Sequence, residues 1–316
     1  MSSNSVRTAR LWSAPLLVAL ALGGAFAQTT AQTQPLTVAV GSGPEGLTVA
    51  FDGTTLTVWV ANQFSNSVTK LRASDGSNLG TFPVGNHPVA VIASIAVSGS
   101  MSIWVANNKS DTVTKLRASD GAVLGAFPTG QGPQGLAFDG QNIWVTNERG
   151  SSVTKLRASD GANLGTFPVG TRPVGVAFDG SNIWVANQLS NTVTKLSASD
   201  GRTLGNFPVG KGPFAVAAAG GYIWVANFFS KNVTKLSPTA GTAVGTYVVG
   251  DGPAGFATDG THLWVSNNGS SNVMKLDLGT GSVLSTVAVG RGPFGVTFDG
   301  AHIWVVSFGT NTVSRL

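Results

Sequence analysis

The chain of 316 residues contains no cysteine, only three histidines and only 10% charged residues. The absence of cysteine excludes a disulfide framework, a thiolate nucleophile and any thiolate metal site. Because 42% of the residues are hydrophobic, the composition fits a globular chain that gains its stability from packing. Forty-two glycines and fourteen prolines, without a period of three, indicate many tight turns between short elements and favour an all-β fold.

No hydrophobic run is long enough to span a membrane, and the longest run lies near the N-terminus. Arg7 and Arg10 precede the apolar run 16–22, and Ala25-Phe26-Ala27 offers a small-x-small cleavage pattern. The run is shorter than the roughly 18 apolar residues that a membrane-spanning helix needs. We therefore predict a secretory signal peptide over residues 1–27 and an exported protein, either periplasmic or extracellular. We expect no transmembrane segment after cleavage.

What the chain does contain is an internal repeat. After a first gap of 45 residues, successive tryptophans follow one another at spacings of 40. These tryptophans are Trp59, Trp104, Trp144, Trp184, Trp224, Trp264 and Trp304. Within one unit, "GLAFDG", "IWVTN", "SVTKL" and "LGTFPVG" are short apolar runs separated by turn residues, which indicates four strands per unit. A four-stranded unit of about 40 residues repeated along a chain is typical of a β-propeller, and seven tryptophans predict seven blades.

The two ends of the chain predict how the ring of blades closes. The seventh unit stops at Leu316 after its third strand, whereas "TVAVG" at 37–41 is identical to the fourth-strand sequence at 286–290. The N-terminal strand should therefore complete the last blade and remove an open sheet edge. We predict a short linker at 28–34 and a single monomeric propeller domain at 35–316.

Most of the repeated residues have a structural explanation. The tryptophan segments have the composition of strands buried on both faces, with the indole between blades, and the alternative is a ladder that stacks ligands. The recurrent aspartates precede glycine in tight turns, and the recurrent asparagines should hold the second-to-third-strand loop by side-chain to backbone hydrogen bonds. Two hypotheses stay open for the third-strand cations: snorkelling stems at a blade surface, or a cationic belt for polyanions. These cations are Lys70, Lys115, Lys155, Lys195, Lys235, Lys275 and Arg315.

Positions that differ between the repeats are the candidates for function. Because strands alternate in direction, the fourth-to-first connections and the second-to-third loops should emerge on one face, where phenylalanines and charges vary. The variable positions are Glu45, Phe64, His87, Lys109, Asp111, Gln131, Gln134, Glu148, Arg149, Lys231, Asp251 and Phe308, besides the main candidates. The main candidate ligand-binding residues are Arg172, Lys211, Phe214, Phe228, Phe229, Arg291 and Phe294. Exposed phenylalanines beside cations suit a planar, sugar-like or anionic partner, or a protein surface. The alternative is neutral drift in exposed loops.

No pattern indicates catalysis. Phosphate-binding loops, zinc-ligand spacings and nucleophile elbows do not occur in the sequence. None of the three histidines has a nucleophile or a second histidine at ligand spacing, so we predict no catalytic residue, no metal ligand and no cofactor.

The segments "IWVAN", "IWVTN" and "LWVSN", followed by "SNTVTKL", resemble the bacterial YVTN-repeat propellers. That resemblance covers residues 35–316 and implies the fold, with cell-surface or DNA-binding roles in the group. The pattern "GPxG…DGxxIWVAN" is also similar to the virginiamycin B lyase-like propellers, which implies a metal-dependent lyase activity. Where those repeats often carry glutamate, this chain has six asparagines and Ser307, and an amide supplies neither a general base nor an anionic ligand.

Three function classes therefore remain open. The first is a non-enzymatic binding module for a protein, glycan or small molecule, which we favour. The second is a lyase-like enzyme, and the third is a DNA-binding propeller, for which the basic balance of the chain gives slight support.

Overall fold

The computed structural model describes residues 35–316, so the predicted signal peptide and linker lie outside the described residues. Seven separate sheets, each of four antiparallel strands, follow one another around a central axis. The innermost strands of neighbouring blades contact one another, which makes the arrangement a closed ring. The predicted seven-bladed β-propeller is confirmed. Within residues 35–316, no helix has the length and apolar character needed to cross a bilayer.

The strands are given blade by blade, from the central axis outwards. Blade 1 comprises β2 (Pro44–Phe51), β3 (Leu56–Asn62), β4 (Ser67–Arg72) and β5 (Asn78–Pro83). Blade 2 comprises β6 (Pro88–Ile95), β7 (Met101–Asn107), β8 (Thr112–Arg117) and β9 (Val123–Pro128). Blade 3 comprises β10 (Pro133–Phe138), β11 (Asn142–Asn147), β12 (Ser152–Arg157) and β13 (Asn163–Pro168). Blade 4 comprises β14 (Pro173–Phe178), β15 (Asn182–Asn187), β16 (Thr192–Ser197) and β17 (Thr203–Pro208).

Blade 5 comprises β18 (Pro213–Ala219), β19 (Tyr222–Asn227), β20 (Asn232–Leu236) and β21 (Ala243–Val248). Blade 6 comprises β22 (Pro253–Thr258), β23 (His262–Asn267), β24 (Asn272–Asp277) and β25 (Val283–Ala288). Blade 7 comprises β26 (Pro293–Phe298), β27 (Ile303–Ser307), β28 (Thr312–Arg315) and β1 (Leu36–Ala39), with a 3-10 turn at Phe308–Thr310. The first hairpin of blade 2 is longer than the others, which accounts for the first tryptophan spacing of 45.

The N-terminal strand closes the ring as predicted. Strand β1 pairs antiparallel with β28, with Leu36 opposite Arg315 and Ala39 opposite Thr312. Leu36 and Val38 also pack against a buried cluster that joins blade 7 to blade 1. Both ends of the chain therefore stabilise one blade, and β28 is paired on both sides.

The core consists of apolar clusters between neighbouring blades. One such cluster joins Trp184 and Val193 of blade 4 to Ile223 and Leu236 of blade 5. Phe207, on the outer strand of blade 4, packs against Trp184 with ring centroids 5.7 Å apart. Six of the seven repeated tryptophans are fully buried, which confirms that the repeated segment is scaffold.

The aspartates of the first hairpins have a second role that the turn pattern did not reveal. Asp139 accepts backbone hydrogen bonds from Gln141 and Asn142 through Oδ1, as expected for a turn. Its Oδ2 accepts a hydrogen bond of 2.7 Å from Nε1 of Trp144. The same indole to carboxylate contact occurs at Trp184, Trp264 and Trp304. The carboxylate therefore satisfies the only polar atom of a buried tryptophan.

The repeated asparagines donate mainly to side chains of the third strand, which are hydroxyl groups or the amide oxygens of Asn232 and Asn272. Nδ2 of Asn187 donates to Oγ1 of Thr192 at 3.1 Å and to Oγ1 of Thr194 at 2.8 Å. A Cβ atom on Gly170 would lie 2.6 Å from Cγ of Asn187, so only glycine fits beside the amide. The prediction that these asparagines hold the second-to-third-strand loop is right in place, but the bonded partners are mainly side chains; a backbone partner is the N–H of Gly130, which donates to Oδ1 of Asn147 at 3.1 Å.

The third-strand cations lie between blades, so neither sequence hypothesis describes them. Nζ of Lys115 donates to the carbonyls of Ala158 and Ser159 in the next blade, at 2.8 and 2.9 Å. It also lies 5.1 Å from the ring centroid of Trp104. Arg315 repeats the arrangement by donating to two carbonyls of blade 1. Six of the seven cations bond carbonyls of the next blade in this way and offer little charge to an outside polyanion, whereas Lys275 contacts only the ring of Trp264.

Candidate ligand-binding site

The fourth-to-first connections and the second-to-third loops lie together on one face, as predicted. The backbone N–H of Gln63 donates to the carbonyl of Gly43 at 2.9 Å, and that of Gln188 donates to the carbonyl of Arg172 at 2.9 Å. Each blade thereby brings two variable side chains towards the central axis. One follows the proline that begins the innermost strand, and the other follows the last residue of the second strand.

Most of these side chains, together with His87 and Arg172, line a cavity of about 330 Å³ at the loop end of the central channel, which we call the mouth cavity. Its lining residues are Glu45, Gln63, His87, Val89, Asn108, Gln134, Glu148, Arg172, Val174, Gln188, Phe214, Phe294 and Phe308. A second, more apolar cavity of about 240 Å³ continues along the innermost strands. Glu45, Phe214 and Phe294 border both cavities, so the two are adjacent. The mouth cavity falls within the size range of small-molecule sites.

One half of the mouth cavity carries a hydrogen-bonded polar network from blades 1 to 3. The Glu45 carboxyl group accepts hydrogen bonds from Nε2 of Gln63 at 2.8 Å and from Nε2 of Gln134 at 3.0 Å. Oε1 of Gln134 in turn accepts from Nδ2 of Asn108 at 3.1 Å. The contact from Glu45 to Gln134 joins blade 1 to blade 3, because blade 2 contributes only the shorter Val89 between them.

The network continues into blade 4 as an ion pair. Nε of Arg172 donates to Oε1 of Glu148 at 2.6 Å, and Nδ2 of Asn108 donates to the other carboxylate oxygen at 3.3 Å. Farther out, Arg149 donates to Oδ1 of Asn108 at 3.0 Å and pairs with Asp111 at 2.9 Å. Arg172 and Arg149 are therefore paired with carboxylates rather than free for a ligand.

The titratable groups of the cavity have shifted pKa values. Burial raises the pKa of Glu45 to about 8, the negative charge of Glu148 adds to the rise, and the hydrogen bond from Gln134 opposes it. Burial also lowers the pKa of His87, and the positive charges of Lys109 and Arg149 lower it further. At neutral pH, Glu45 is therefore mostly protonated and His87 is uncharged.

The other half of the mouth cavity is aromatic. The rings of Phe214 and Phe294 lie 6.0 Å apart, although they belong to blades 5 and 7. They can meet because blade 6 places only Ala254 between them. Phe308 continues the row at 5.7 Å from Phe294, and Phe64 lies 5.6 Å from Phe308. On the blade 5 side, the row extends from Phe214 through Phe228 to Phe229.

Two lining residues occupy positions where the other blades have glycine. His87 and Arg172 have φ values of 61° and 57°, in the left-handed region. The equivalent residues in the other five blades are glycines with positive φ: Gly43, Gly132, Gly212, Gly252 and Gly292. A non-glycine residue there costs about 1–2 kcal/mol. At this repeat position, both of the non-glycine side chains line the mouth cavity, and strained residues cluster at functional sites.

Gln188 presents an unsatisfied polar group at the same place. Its side chain lines the mouth cavity, although the residue is only 6% exposed. Among the described residues, its Oε1 has no hydrogen-bond partner. A buried acceptor without a donor is unfavourable, so a donor from a ligand would stabilise it.

The structure divides the predicted site residues into three groups. Arg172, Phe214 and Phe294 line the mouth cavity. Phe228 contacts Phe214 just outside it. Phe229, Lys211 and Arg291 are exposed on the same face but are not among the lining residues.

Besides the apolar Val89 and Val174, sequence reasoning missed three polar lining residues: Gln63, Asn108 and Gln188. They occupy the same repeat position as Glu148, Phe228 and Phe308, which were chosen because they are charged or aromatic. The residue at this position changes from blade to blade between amide, charged and aromatic side chains, and that variation was the signal that could have found them.

Carboxylates and histidines do not gather into a metal site in the part of the chain that the structure describes: no group of three or more His, Asp or Glu side chains could hold an ion. The arrangement can bind a ligand by stacking on one side and by hydrogen bonds on the other.

Solved structures that share this fold include a lyase and a synthase. A streptogramin B lyase structure superposes with a TM-score of 0.74, at 20% identity over 89% of this chain and 96% of that chain. Hydrazine synthase from Kuenenia stuttgartiensis superposes with a TM-score of 0.76, at 19% identity over 93% of this chain and 99% of that chain. No family model and no curated protein sequence matches the chain. At these identities, the similarity to the two structures shows a shared propeller fold.

Proposed function

We propose that the protein is an exported, non-enzymatic binding propeller that holds its ligand in the mouth cavity. The observation that carries this proposal is the pairing of a polar network with a row of phenylalanines around one cavity. A small number of placed polar groups beside apolar and aromatic walls is typical of ligand sites. The strained positions of His87 and Arg172 and the unpaired Gln188 lie on the same cavity and support the proposal.

The export part of the proposal rests on the pattern of residues 1–27, and membership of the YVTN-repeat group rests on the repeated "WVAN" and "VTKL" segments. The propeller fold is the one that the YVTN-repeat resemblance implies. The location, periplasmic or extracellular, can be tested by fractionating cells that express the whole chain, with N-terminal sequencing of the product. We expect cleavage near residue 27 and recovery outside the cytoplasm, whereas an uncleaved cytoplasmic product would contradict export.

The binding part can be tested by a thermal-shift screen of residues 28–316 against peptides, glycans, nucleotides, short DNA and divalent metals. The screen is repeated on the Phe294→Ala variant and on a matched control, Phe51→Ala. Phe51 is 50% exposed at the inner-strand end farthest from the mouth cavity. We expect a ligand that raises the melting temperature of the parent and the control but raises that of Phe294→Ala less.

Three outcomes would overturn the proposal. A ligand that stabilises all three proteins equally binds outside the mouth cavity. Conversion of a ligand into products would make the protein an enzyme, and the lyase class would then replace the binding class. No stabilisation by any class of ligand would contradict a small-molecule site.

A further inference from the structure

The charges around the mouth cavity favour a neutral ligand. Glu148 and Arg172 neutralise each other at 2.6 Å. Glu45 and His87 are the other titratable lining residues, and neither carries a full charge at neutral pH. A charged ligand group would lose its hydration without meeting an unpaired counter-charge among the described lining residues, which is unfavourable.

The polar groups match a ligand that both donates and accepts hydrogen bonds. The amide side chains of Gln63, Gln134 and Gln188 each carry two N–H donors and a carbonyl acceptor. The buried Oε1 of Gln188 has no donor among the described residues, so it can accept one from a ligand. A hydroxyl group can donate to that oxygen and accept from a neighbouring amide, so several hydroxyls fit this half of the cavity better than a purely accepting ligand does.

The aromatic half requires an apolar face on the same ligand. The rings of Phe214 and Phe294 are inclined by 37° to each other and form one wall of the cavity. A sugar ring has C–H groups on its faces and hydroxyls around its edge, so it can contact phenylalanines and amides at once. A nucleotide has an aromatic face as well, but its phosphate would lack a free cation in this cavity.

Resting on the binding function proposed above, we propose that the mouth cavity binds a neutral saccharide. The C–H face of one sugar ring packs against Phe214 and Phe294, and ring hydroxyls bond to Gln134, Gln188 and Glu45. The cavity of about 330 Å³ limits the enclosed part to a small saccharide or to the end of a longer glycan.

The test is isothermal titration of residues 28–316 with matched sugars. The neutral probes are glucose, galactose, mannose, N-acetylglucosamine, cellobiose, lactose and maltose. Glucosamine and glucuronic acid carry a similar ring with a positive or a negative charge. We expect at least one neutral sugar to bind, and its charged analogue to bind at least about tenfold more weakly.

Two variants locate the binding. Gln188→Leu keeps a similar volume and removes the unpaired amide, so we expect a similar melting temperature and an affinity lowered about tenfold. Phe294→Ala should weaken binding at least as much, and the control Phe51→Ala should bind like the parent. A sugar that binds equally well to Gln188→Leu, to Phe294→Ala and to the parent would refute this placement.

The outcomes separate this inference from the binding function. If a charged sugar, peptide or nucleotide binds in a Phe294-dependent way while the neutral sugars bind more weakly or not at all, the saccharide inference is wrong and the binding function stands. If neither these sugars nor any class in the thermal-shift screen binds, both proposals are wrong.

Discussion

The lysine contacts between blades allow a quantitative test of what holds the ring together. In Lys115→Met the aliphatic stem stays, but the ammonium group that bonds two carbonyls of the next blade is lost. A hydrogen bond to a charged group contributes about 1.5–3 kcal/mol, and the contact with Trp104 adds about 0.5–1 kcal/mol. Burying the ammonium group offsets part of this total, so we expect a net loss of about 3 kcal/mol in the free energy of unfolding.

That loss converts into a measurable shift of the melting temperature. An unfolding entropy of about 2.1 cal/mol/K per residue, summed over residues 35–316, gives about 0.6 kcal/mol/K. Lys115→Met should therefore melt about 5 °C below the parent in differential scanning calorimetry. Lys109→Met is the matched control, because Lys109 is an exposed lysine of the same blade. The control should change the melting temperature by less than about 1 °C.

A result for Lys115→Met equal to or above the parent would refute the reasoning. It would mean that the free-energy cost of burying the ammonium group exceeds the stabilisation from its two hydrogen bonds to carbonyls. The same change at Lys155, which makes equivalent contacts in the next blade, should give a similar loss.

The other predictions concern the mouth cavity, the closure and the turns. Because the pKa of Glu45 is raised to about 8, its proton stabilises the folded state fully below pH 4.5, and this contribution is lost as the pH rises to 8. In urea titrations, the free energy of unfolding of Glu45→Gln should therefore rise by roughly 2–4 kcal/mol relative to that of the parent between pH 4.5 and pH 8. A difference that stays constant with pH would contradict the raised pKa. Deleting residues 35–41 should cause aggregation or a large loss of melting temperature, and an unchanged melt would disprove closure by β1. Asp139→Ala should lower the free energy of unfolding by about 1–3 kcal/mol, because Nε1 of Trp144 loses its acceptor. Asp160→Ala removes only an exposed turn residue, so in the same urea titration it should lower the free energy of unfolding by less than half as much. Equal losses would refute the role of the indole contact.

The similarity between repeats explains why the fold was predictable. A residue that packs between blades must recur in every blade, so the tryptophan spacing predicted the number of sheets, and the apolar runs within one repeat predicted the strands. The closure was predictable as well, because the identity of 37–41 with 286–290 marks a displaced fourth strand. The common face of the variable loops followed from the alternating direction of antiparallel strands.

The lysines show where such reasoning stops. Their recurrence indicated a structural role, but the partners of Lys115 are backbone carbonyls 43 and 44 residues away. Backbone carbonyls occur at every position, so the sequence contains no sign of which one a lysine contacts. The contact between Asp139 and the Trp144 indole was hidden for a related reason, because turn formation already accounted for the aspartate.

The sequence by itself determined the propeller, its seven blades, its closure and the face on which the repeats differ, because all of these depend on residues that recur at fixed spacing. Only the tertiary structure decided which variable residues share a cavity. Glu45 and Gln134 are 89 residues apart, and Phe214 and Phe294 belong to different blades, yet each pair meets at the central axis. The physical reason is that the ring brings the same end of every innermost strand to one point, and the small Val89 and Ala254 between the larger side chains leave them room to touch.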